Sequence, residues 1–286
     1  MTTTRTVLTI AALTLREASR RRVVLAVAGL TVVLLALSAW GFSKLATVDP
    51  EFGALTSGEA RLFASQLLNL VMFGYSLIAA LGTAFLAGPT LSGEVESGMA
   101  LSVLARPVRR TTVLFGKWLG LVAFGTGYVA VAGFAQFLVV HWAVDYWPPD
   151  PVTGLLLLAA QTTVLMTLAL LLATAVSPMA SGIVAVGLFG ATWVAGVVGS
   201  VGEVIGNAGV ARVGEVSRML LPTDGLWRGA MHAFQDSAAL ATFGAGFEGS
   251  PFLAIAPLSG LYLVWVAVWL LLIGALAALS FTRRDV

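Results

Sequence analysis

The stretch LSGEVESGMALSVLARPVRRTTVLFGKWLG, from Leu91 to Gly120, is a charged interruption in a chain that is otherwise strongly apolar. Two acidic residues, Glu94 and Glu96, lie near its start. Its second half contains four basic residues, Arg106, Arg109, Arg110 and Lys117. The segments on both sides are apolar over about 20 residues, the length that a helix needs to cross a bilayer. This stretch is therefore predicted to connect two membrane-spanning helices.

The composition of the whole chain is typical of a membrane protein. Of its 286 residues, 58% are hydrophobic and only 10% are charged, whereas soluble domains carry about 25% charged residues. The mean hydropathy is +0.95. The first apolar run is about 20 residues long and exceeds the roughly 7–15 residues of a cleavable signal. It is therefore predicted to be a membrane span.

Six stretches without Asp, Glu, Lys or Arg are long enough to span a bilayer. They are Val23–Phe42, Leu67–Leu86, Leu119–Trp142, Gly154–Val176, Gly182–Val201 and Leu258–Phe281. Gly and Ala occur throughout, which permits close contact between helices, and Gly116 and Gly120 have the spacing of such a contact. The sequence predicts an all-α, polytopic membrane protein that forms a single transmembrane domain over residues 1–286.

The distribution of charge predicts how these helices are oriented. With both termini in the cytoplasm, that side carries eleven of the sixteen Lys and Arg residues and four acidic residues. The opposite side then carries five basic and ten acidic residues. Because basic residues are enriched in cytoplasmic loops, we expect both termini and the loop 91–118 to lie in the cytoplasm.

The N-terminal region, residues 1–22, is predicted to contain an amphipathic helix. From Thr3 to Arg20, apolar residues such as Val7 and Ile10 share one face, and charged residues such as Arg16 share the other. Such a helix would lie at the inner membrane surface and lead into the first span. A solvated basic tail is the alternative interpretation.

Further helices are predicted on the outer side. The loop from Lys44 to Gln66 is expected to be partly helical, and the segment 202–257 is expected to contain two short helices. The first runs from Glu203 to Leu220, and the second begins after Pro222 with Thr223 or Asp224 as its N-cap. The second would carry a membrane-facing stripe formed by Leu226, Trp227, Met231 and Phe234.

Motifs for catalysis or energy conversion are missing from the sequence. The one Gly-Lys pair, Gly116-Lys117, is followed by Trp118 and does not form a nucleotide-binding P-loop. The chain has no Cys and two His residues, which excludes thiolate and multi-His metal sites within one chain. We therefore expect no catalytic, cofactor-binding or metal-binding residues. A chain of this kind that moved a cargo would need free energy from another polypeptide.

The polar residues of the spans are few. No span contains an acid or a Lys or Arg, and His141 lies at a boundary. Since proton-driven transporters use ionisable residues within the membrane, this pattern argues against one. Asn69, Gln136 and Gln161 are predicted to form hydrogen bonds between helices.

The sequence EVESGMALSVLARPVRRTTVLFGKWLG resembles the segment between the second and third spans of ABC-2-type permeases, the membrane subunits of ATP-binding-cassette transporters. The matching positions are Glu96, Gly98, Arg106, Pro107, Arg109, Arg110, Gly116 and Lys117. Three other stretches are similar to segments of the same family: TIAALTLREASRRR near the start, LLPTDGLWRG from Leu220 to Gly229, and FTRRDV at the end.

The resemblance implies a half-transporter in the cytoplasmic (inner) membrane of a prokaryote, with an N-terminal elbow helix. Two permease copies, or a pair of paralogues, would assemble among membrane lipids with two ATPase subunits, which bind the ATP. No nucleic acid is expected as a partner. Export is the expected direction. The segment that docks on the ATPase would comprise Glu94, Glu96, Gly98, Arg106, Pro107, Arg109, Arg110 and Lys117, with a smaller contact at the turn from Ser177 to Ser181.

Alternative functions remain open at this point. A non-transporting membrane scaffold would use the same loop to recruit a soluble partner. A membrane-embedded enzyme is disfavoured because no span offers clustered acids, bases or metal ligands. The triplet Pro222, Thr223 and Asp224 also matches a subgroup of the family that serves copper-site maturation of nitrous oxide reductase.

Overall fold

The computed structural model describes residues 3–48, 57–96, 109–243 and 250–283, which form helices and turns without any strand. The helices of this described part are α1 (Thr3–Ala18), α2 (Arg22–Val48), α3 (Gly58–Glu96), α4 (Arg110–Val144), α5 (Pro151–Ala175), α6 (Pro178–Val204), α7 (Ala208–Leu220), α8 (Thr223–Phe234), α9 (Ser237–Phe243) and α10 (Gly260–Arg283).

Six helices, α2 to α6 and α10, are long and apolar enough to cross a membrane. Each contains one of the predicted spans, except that Val176 lies just beyond α5, and Leu258 and Ser259 lie just before α10. The prediction of an all-α protein with six spans is therefore confirmed. Because the number of spans is even, helices that each cross the membrane once leave both termini on the same side.

The spans differ in how much of their surface the rest of the chain covers. Over the 18 most apolar consecutive residues of each span, 61% are buried in α3 and 56% in α5. The corresponding shares are 11% in α2 and 17% in α10. The helices α3 and α5 thus form the centre of the bundle, and α2 and α10 lie at its periphery.

Turn residues in the sequence account for several helix ends. The helices α5 and α6 begin with Pro151 and Pro178, where a missing N–H is tolerated. After α6, Gly206 adopts a positive φ of 68°, a conformation that glycine accepts without steric strain. Asn207 then caps α7, its side-chain oxygen accepting from the amides of Gly209 and Val210.

The helices of the segments 44–66 and 202–257 differ from the predicted ones at their starts. The helix predicted from Glu203 is divided at Gly206, because α6 continues to Val204 and α7 begins at Ala208. The N-cap of α8 is Pro222, so the prediction of Thr223 or Asp224 as the cap is wrong. The loop predicted from Lys44 to Gln66 is helical in its described ends, to Val48 and from Gly58, while residues 49–56 lie outside the description.

The apolar stripe of α8 faces the protein interior. Leu226, Trp227, Met231 and Phe234 are all almost completely buried, so the prediction that they face the membrane is wrong. The ring of Phe234 packs 5.3 Å from that of Phe137 on α4. An apolar stripe does not distinguish lipid from protein as its neighbour, because both environments are apolar.

Gln136 and Asn69 form hydrogen bonds from within the bundle. Gln136 on α4 donates to the hydroxyl of Ser38 on α2 at 2.6 Å and accepts from the hydroxyl of Tyr75 on α3 at 3.1 Å. The interhelical bond predicted for Gln136 is therefore confirmed. Asn69 instead joins α3 to the segment before α10, because its amide donates to the carbonyl of Phe252 at 3.0 Å.

Gln161 on α5 joins two other helices, as predicted. Its side-chain oxygen accepts from the hydroxyl of Ser76 on α3 at 2.7 Å. Its side-chain amide donates to the carbonyl of Thr223 at the start of α8, at 3.1 Å. The hydroxyl of Thr223 also lies 3.0 Å from that of Thr192 on α6. These bonds fix α8 against the centre of the bundle.

Candidate functional site

The first part of the candidate site is the end of α3. The predicted span ended at Leu86, but α3 continues to Glu96, a further length of about 15 Å. Glu94 and Glu96 therefore belong to the last turn of a long helix. The next predicted site residues, Gly98, Arg106 and Pro107, lie outside the residues that the structure describes.

The second part is the start of α4, where Arg109 and Arg110 lie. Arg109 is the exposed N-cap, with extended backbone angles (φ −63°, ψ 134°). Its carbonyl oxygen accepts from the amides of Thr112 and Val113 at 2.9 and 3.3 Å. Because α4 begins at Arg110, the loop predicted for 91–118 is helical at both ends, and the connection between the two helices is shorter than predicted.

Lys117 does not lie on the surface. Its side chain is buried, and its ammonium group donates to the backbone carbonyl of Thr90 on α3 at 2.6 Å. A buried charge is unfavourable unless it is paired or hydrogen-bonded, and a hydrogen bond from a charged donor is stronger than a neutral one. Lys117 therefore ties α4 to the end of α3 and is not positioned to touch a soluble partner directly.

Gly116 and Gly120 allow α1 to lie directly against α4. A Cβ atom at Gly116 would lie 2.8 Å from the side chain of Ile10 and 3.1 Å from the carbonyl oxygen of Val7. A Cβ atom at Gly120 would lie 2.5 Å from the carbonyl oxygen of Ala11. The close helix contact indicated by this pair of glycines is therefore present, and its partner is the N-terminal helix of the same chain.

The turn between α5 and α6 lies beside the end of α3. A Cβ atom at Gly88 would overlap the carbonyl oxygen of Pro178 and would lie 2.7 Å from the hydroxyl oxygen of Ser181. Gly88 precedes Thr90, the residue that Lys117 contacts, by two positions. Lys117 and the turn from Ser177 to Ser181, both predicted to contact the ATPase, thus lie against the same end of α3.

A second polar cluster lies at the other end of the bundle, and the sequence revealed only part of it. Asp224, at the start of α8, is buried, and its Oδ2 accepts from Nε of Arg228 at 2.9 Å and from Nε of Arg218 at 3.1 Å. Arg228 also donates to the carbonyl of Gly196 on α6 at 2.7 Å. The pair with Arg228 joins residues four apart in one helix, a spacing that is visible in the sequence. The pair with Arg218 was missed because that residue comes from α7.

The bond from Lys117 to Thr90 and the cluster around Asp224 hold helices together. Arg109 stays exposed at the surface. Among the described residues, no three His, Asp or Glu side chains come close enough to hold a metal ion. Neither the models of known protein families nor the curated proteins compared with this chain match it.

Proposed function

We propose that this chain is the permease subunit of an ABC-2-type transporter, which exports a substrate across the cytoplasmic membrane with ATP hydrolysed by a separate subunit. The observation that best supports the proposal is the buried bond from Lys117 to Thr90. It fixes together the two helices that enter and leave the charged connection. A soluble ATPase that pushes or pulls this connection would therefore move both helices as one body.

The position of α3 explains how such a movement would reach the whole bundle. This helix is the most buried of the six spans, and its hydrogen bonds reach α4 through Tyr75 and α5 through Ser76. Its inner end also contacts the start of α6 at Gly88. A force on the end of α3 is thus carried to three other spans.

The N-terminal helix would act as the elbow of this arrangement. It packs on α4 at Gly116, one residue before Lys117. Leu8 and Leu13 are more than half exposed and suit the apolar part of a membrane surface, where amphipathic helices lie. In this proposal, α1 slides along the membrane surface as the start of α4 moves.

The proposed roles of Arg109 and Lys117 follow from their positions. The exposed Arg109 would contact the ATPase, and the sequence resemblance implies the same role for Glu94, Glu96 and Arg106. Lys117 is a positioning residue, because it is buried and acts through α3. Two such chains, or this chain and a paralogue, would assemble with two ATPase subunits.

The test is a pull-down of the tagged chain from its own host in a mild detergent. We expect the wild-type chain to retain an ATPase that carries a Walker A motif. Arg109→Glu should reduce its recovery at least fivefold, because the substitution reverses the charge of an exposed contact residue. Arg20→Glu is the matched control, since Arg20 is an exposed arginine outside the connection, and its recovery should match the wild type.

The turnover of the retained ATPase separates a transporter from a scaffold. In a transporter, Lys117→Met should leave the complex intact and change the rate of ATP hydrolysis, because the tie between the two helices is lost. In a scaffold, the turnover would not depend on Lys117. If no ATPase is retained by the wild-type chain, the proposed function is wrong.

A further inference from the structure

A cavity of about 620 Å³ opens at the end of the bundle opposite to Arg110. Its wall includes the last turn of α6, the end of α7, one face of α8, residues of the segment 250–259 and the start of α10. This volume lies within the range of small-molecule sites, roughly 300–1,000 Å³. The polar side chains that line it include Glu203, Arg218, Arg228 and Tyr262.

The two arginines of the cavity have donors to spare. Each uses Nε to bind the same oxygen of Asp224, and Arg228 uses one further nitrogen to bind the carbonyl of Gly196. Within the described part of the chain, both terminal nitrogens of Arg218 and Nη1 of Arg228 have no hydrogen-bond partner. About a fifth of each side chain is exposed, 21% for Arg218 and 20% for Arg228. These N–H groups are therefore available to a ligand.

The charge of the cluster favours an anion. One buried carboxylate, that of Asp224, faces two guanidinium groups, so the cluster keeps one positive charge. Glu203 lines the same cavity, is exposed, and pairs with no base among the residues described. Its negative charge opposes an anion, but solvent screens it because Glu203 is exposed, whereas about four fifths of each arginine side chain is buried.

The rest of the wall is apolar. Val204, Leu253, Ile255 and Leu258 line the cavity beside the arginines. Guanidinium groups bind phosphate oxygens in a planar, bidentate geometry. The unpaired nitrogens of Arg218 and Arg228 carry more N–H groups than the two oxygens of one carboxylate would bind, so a phosphate suits them better than a carboxylate. A phosphate beside a short apolar group fits both parts of the wall.

We propose that this cavity is a binding site for a phosphate group, held by Arg218 and Arg228, with the segment 250–259 available to any apolar group that the phosphate carries. The phosphate belongs either to a lipid headgroup or to a soluble anion, and the two sources share the same contacts. The proposal stands apart from the proposed ATPase partner, because the cavity lies at the end of the bundle opposite to the connection between α3 and α4.

The test is calorimetric titration of the full chain in dodecyl maltoside with three probes. Dihexanoyl phosphatidate should bind saturably at one site, and uncharged dihexanoylglycerol should bind at least tenfold more weakly. Binding of phosphatidate alone identifies a lipid headgroup as the source. Binding of inorganic phosphate with equal affinity identifies a free phosphate.

Variants assign the binding to this cavity. Arg218→Gln should weaken phosphatidate binding about tenfold, the effect of losing one charge-assisted contact of roughly 1.4 kcal/mol. Arg212→Gln is the matched control, because it removes the same charge from an exposed position on the same helix, outside the cavity. Its affinity should match the wild type.

Glu203→Gln keeps the test valid if Arg218→Gln does not fold. Glu203 is exposed, so its replacement should leave the fold intact. Removing its negative charge from the cavity lining should tighten phosphatidate binding about threefold, as expected for a partly screened charge. The proposal is overturned if phosphatidate and dihexanoylglycerol bind equally, if neither phosphatidate nor phosphate binds, or if Glu203→Gln leaves the affinity unchanged.

Discussion

The ammonium group of Lys117 lies 2.6 Å from the backbone carbonyl oxygen of Thr90, in the interior of the helix bundle. Its neighbour Gly116 lies against Ile10 of α1. Two consecutive residues of α4 thus contact two different helices. The charged connection between α3 and α4 is therefore attached to a joint of three helices.

Replacing Lys117 should weaken this joint. Lys117→Met keeps the length of the side chain and removes the charged donor, so the unfolding free energy should fall by about 2 kcal/mol, the range for hydrogen bonds to charged groups. Thermal unfolding in detergent measures the change. Lys44→Met is the matched control, because Lys44 is the other lysine of the chain and is exposed. Equal melting temperatures for the two variants would contradict the role given to Lys117.

A larger residue at Gly120 should displace α1 from α4. A Cβ atom there would lie 2.5 Å from the backbone oxygen of Ala11, which cannot move without the helix. Trypsin cleavage after Arg20 or Arg21 should therefore be about tenfold faster in Gly120→Leu than in the wild type. Gly127→Leu serves as the control on the same helix, because nothing lies within 4 Å of a Cβ atom at Gly127. Cleavage at the wild-type rate in Gly120→Leu would show that α1 is not held at this position.

Neutralising Asp224 should be strongly destabilising. Asp224→Asn leaves Arg218 and Arg228 without the buried carboxylate that they share, and breaking a buried pair removes about 3 kcal/mol of stability. Asp145→Asn is the comparison, because Asp145 contacts His141 in an exposed position, where a charged contact contributes less than about 1 kcal/mol. A similar melting temperature for both variants would argue against a structural role for the Asp224 cluster.

The hydroxyl group of Tyr146, between α4 and α5, donates to the carbonyl of Phe234 at 2.6 Å. Burial, and next the negative charge of Asp236, raise the pKa of Tyr146 above its ordinary value. Tyr146→Phe should lower the stability by about 1 kcal/mol at pH 7.

The pH dependence of this effect has a definite sign. The folded state keeps the proton of Tyr146 at a pH where the unfolded state has lost it, so the contribution is complete below the unfolded pKa of about 10. It declines as the pH rises from there towards the folded pKa. The difference in melting temperature between wild type and Tyr146→Phe should therefore be constant from pH 6 to 9 and shrink above about pH 10. A difference that grows with pH would contradict this assignment.

The sequence predicted the six spans because length and apolar composition alone define a helix that can cross a bilayer. It also predicted the interhelical bonds of Gln136 and Gln161, since an amide in an apolar helix needs a partner. It did not predict that Trp227 faces the protein, because the interiors of protein and membrane are equally apolar. The burial of Lys117 was not predicted either. A basic residue near the end of a span is common on the cytoplasmic side, where it indicates the orientation of the helix and not its contacts.

Contacts that depend on the angle between two consecutive helices were also not predicted from the sequence. The pair of Asp224 with Arg228 lies within one helix at a spacing of four residues, which the helical pattern reveals. The pair with Arg218 depends on the angle between α7 and α8 at Leu221 and Pro222. Within the triplet Pro222, Thr223 and Asp224, the last two residues form hydrogen bonds with α5, α6 and α7.

The proposed function requires that a cytoplasmic ATPase can reach Arg109, and the most direct measurement is the sidedness of this residue. The chain has no cysteine, so Arg109→Cys and Glu203→Cys each provide a single label site at opposite ends of the bundle. With a membrane-impermeant maleimide on intact cells, we expect Glu203→Cys to be labelled and Arg109→Cys to be labelled only after the membrane is opened. Labelling of Arg109→Cys in intact cells would place the connection outside the cell and contradict the account.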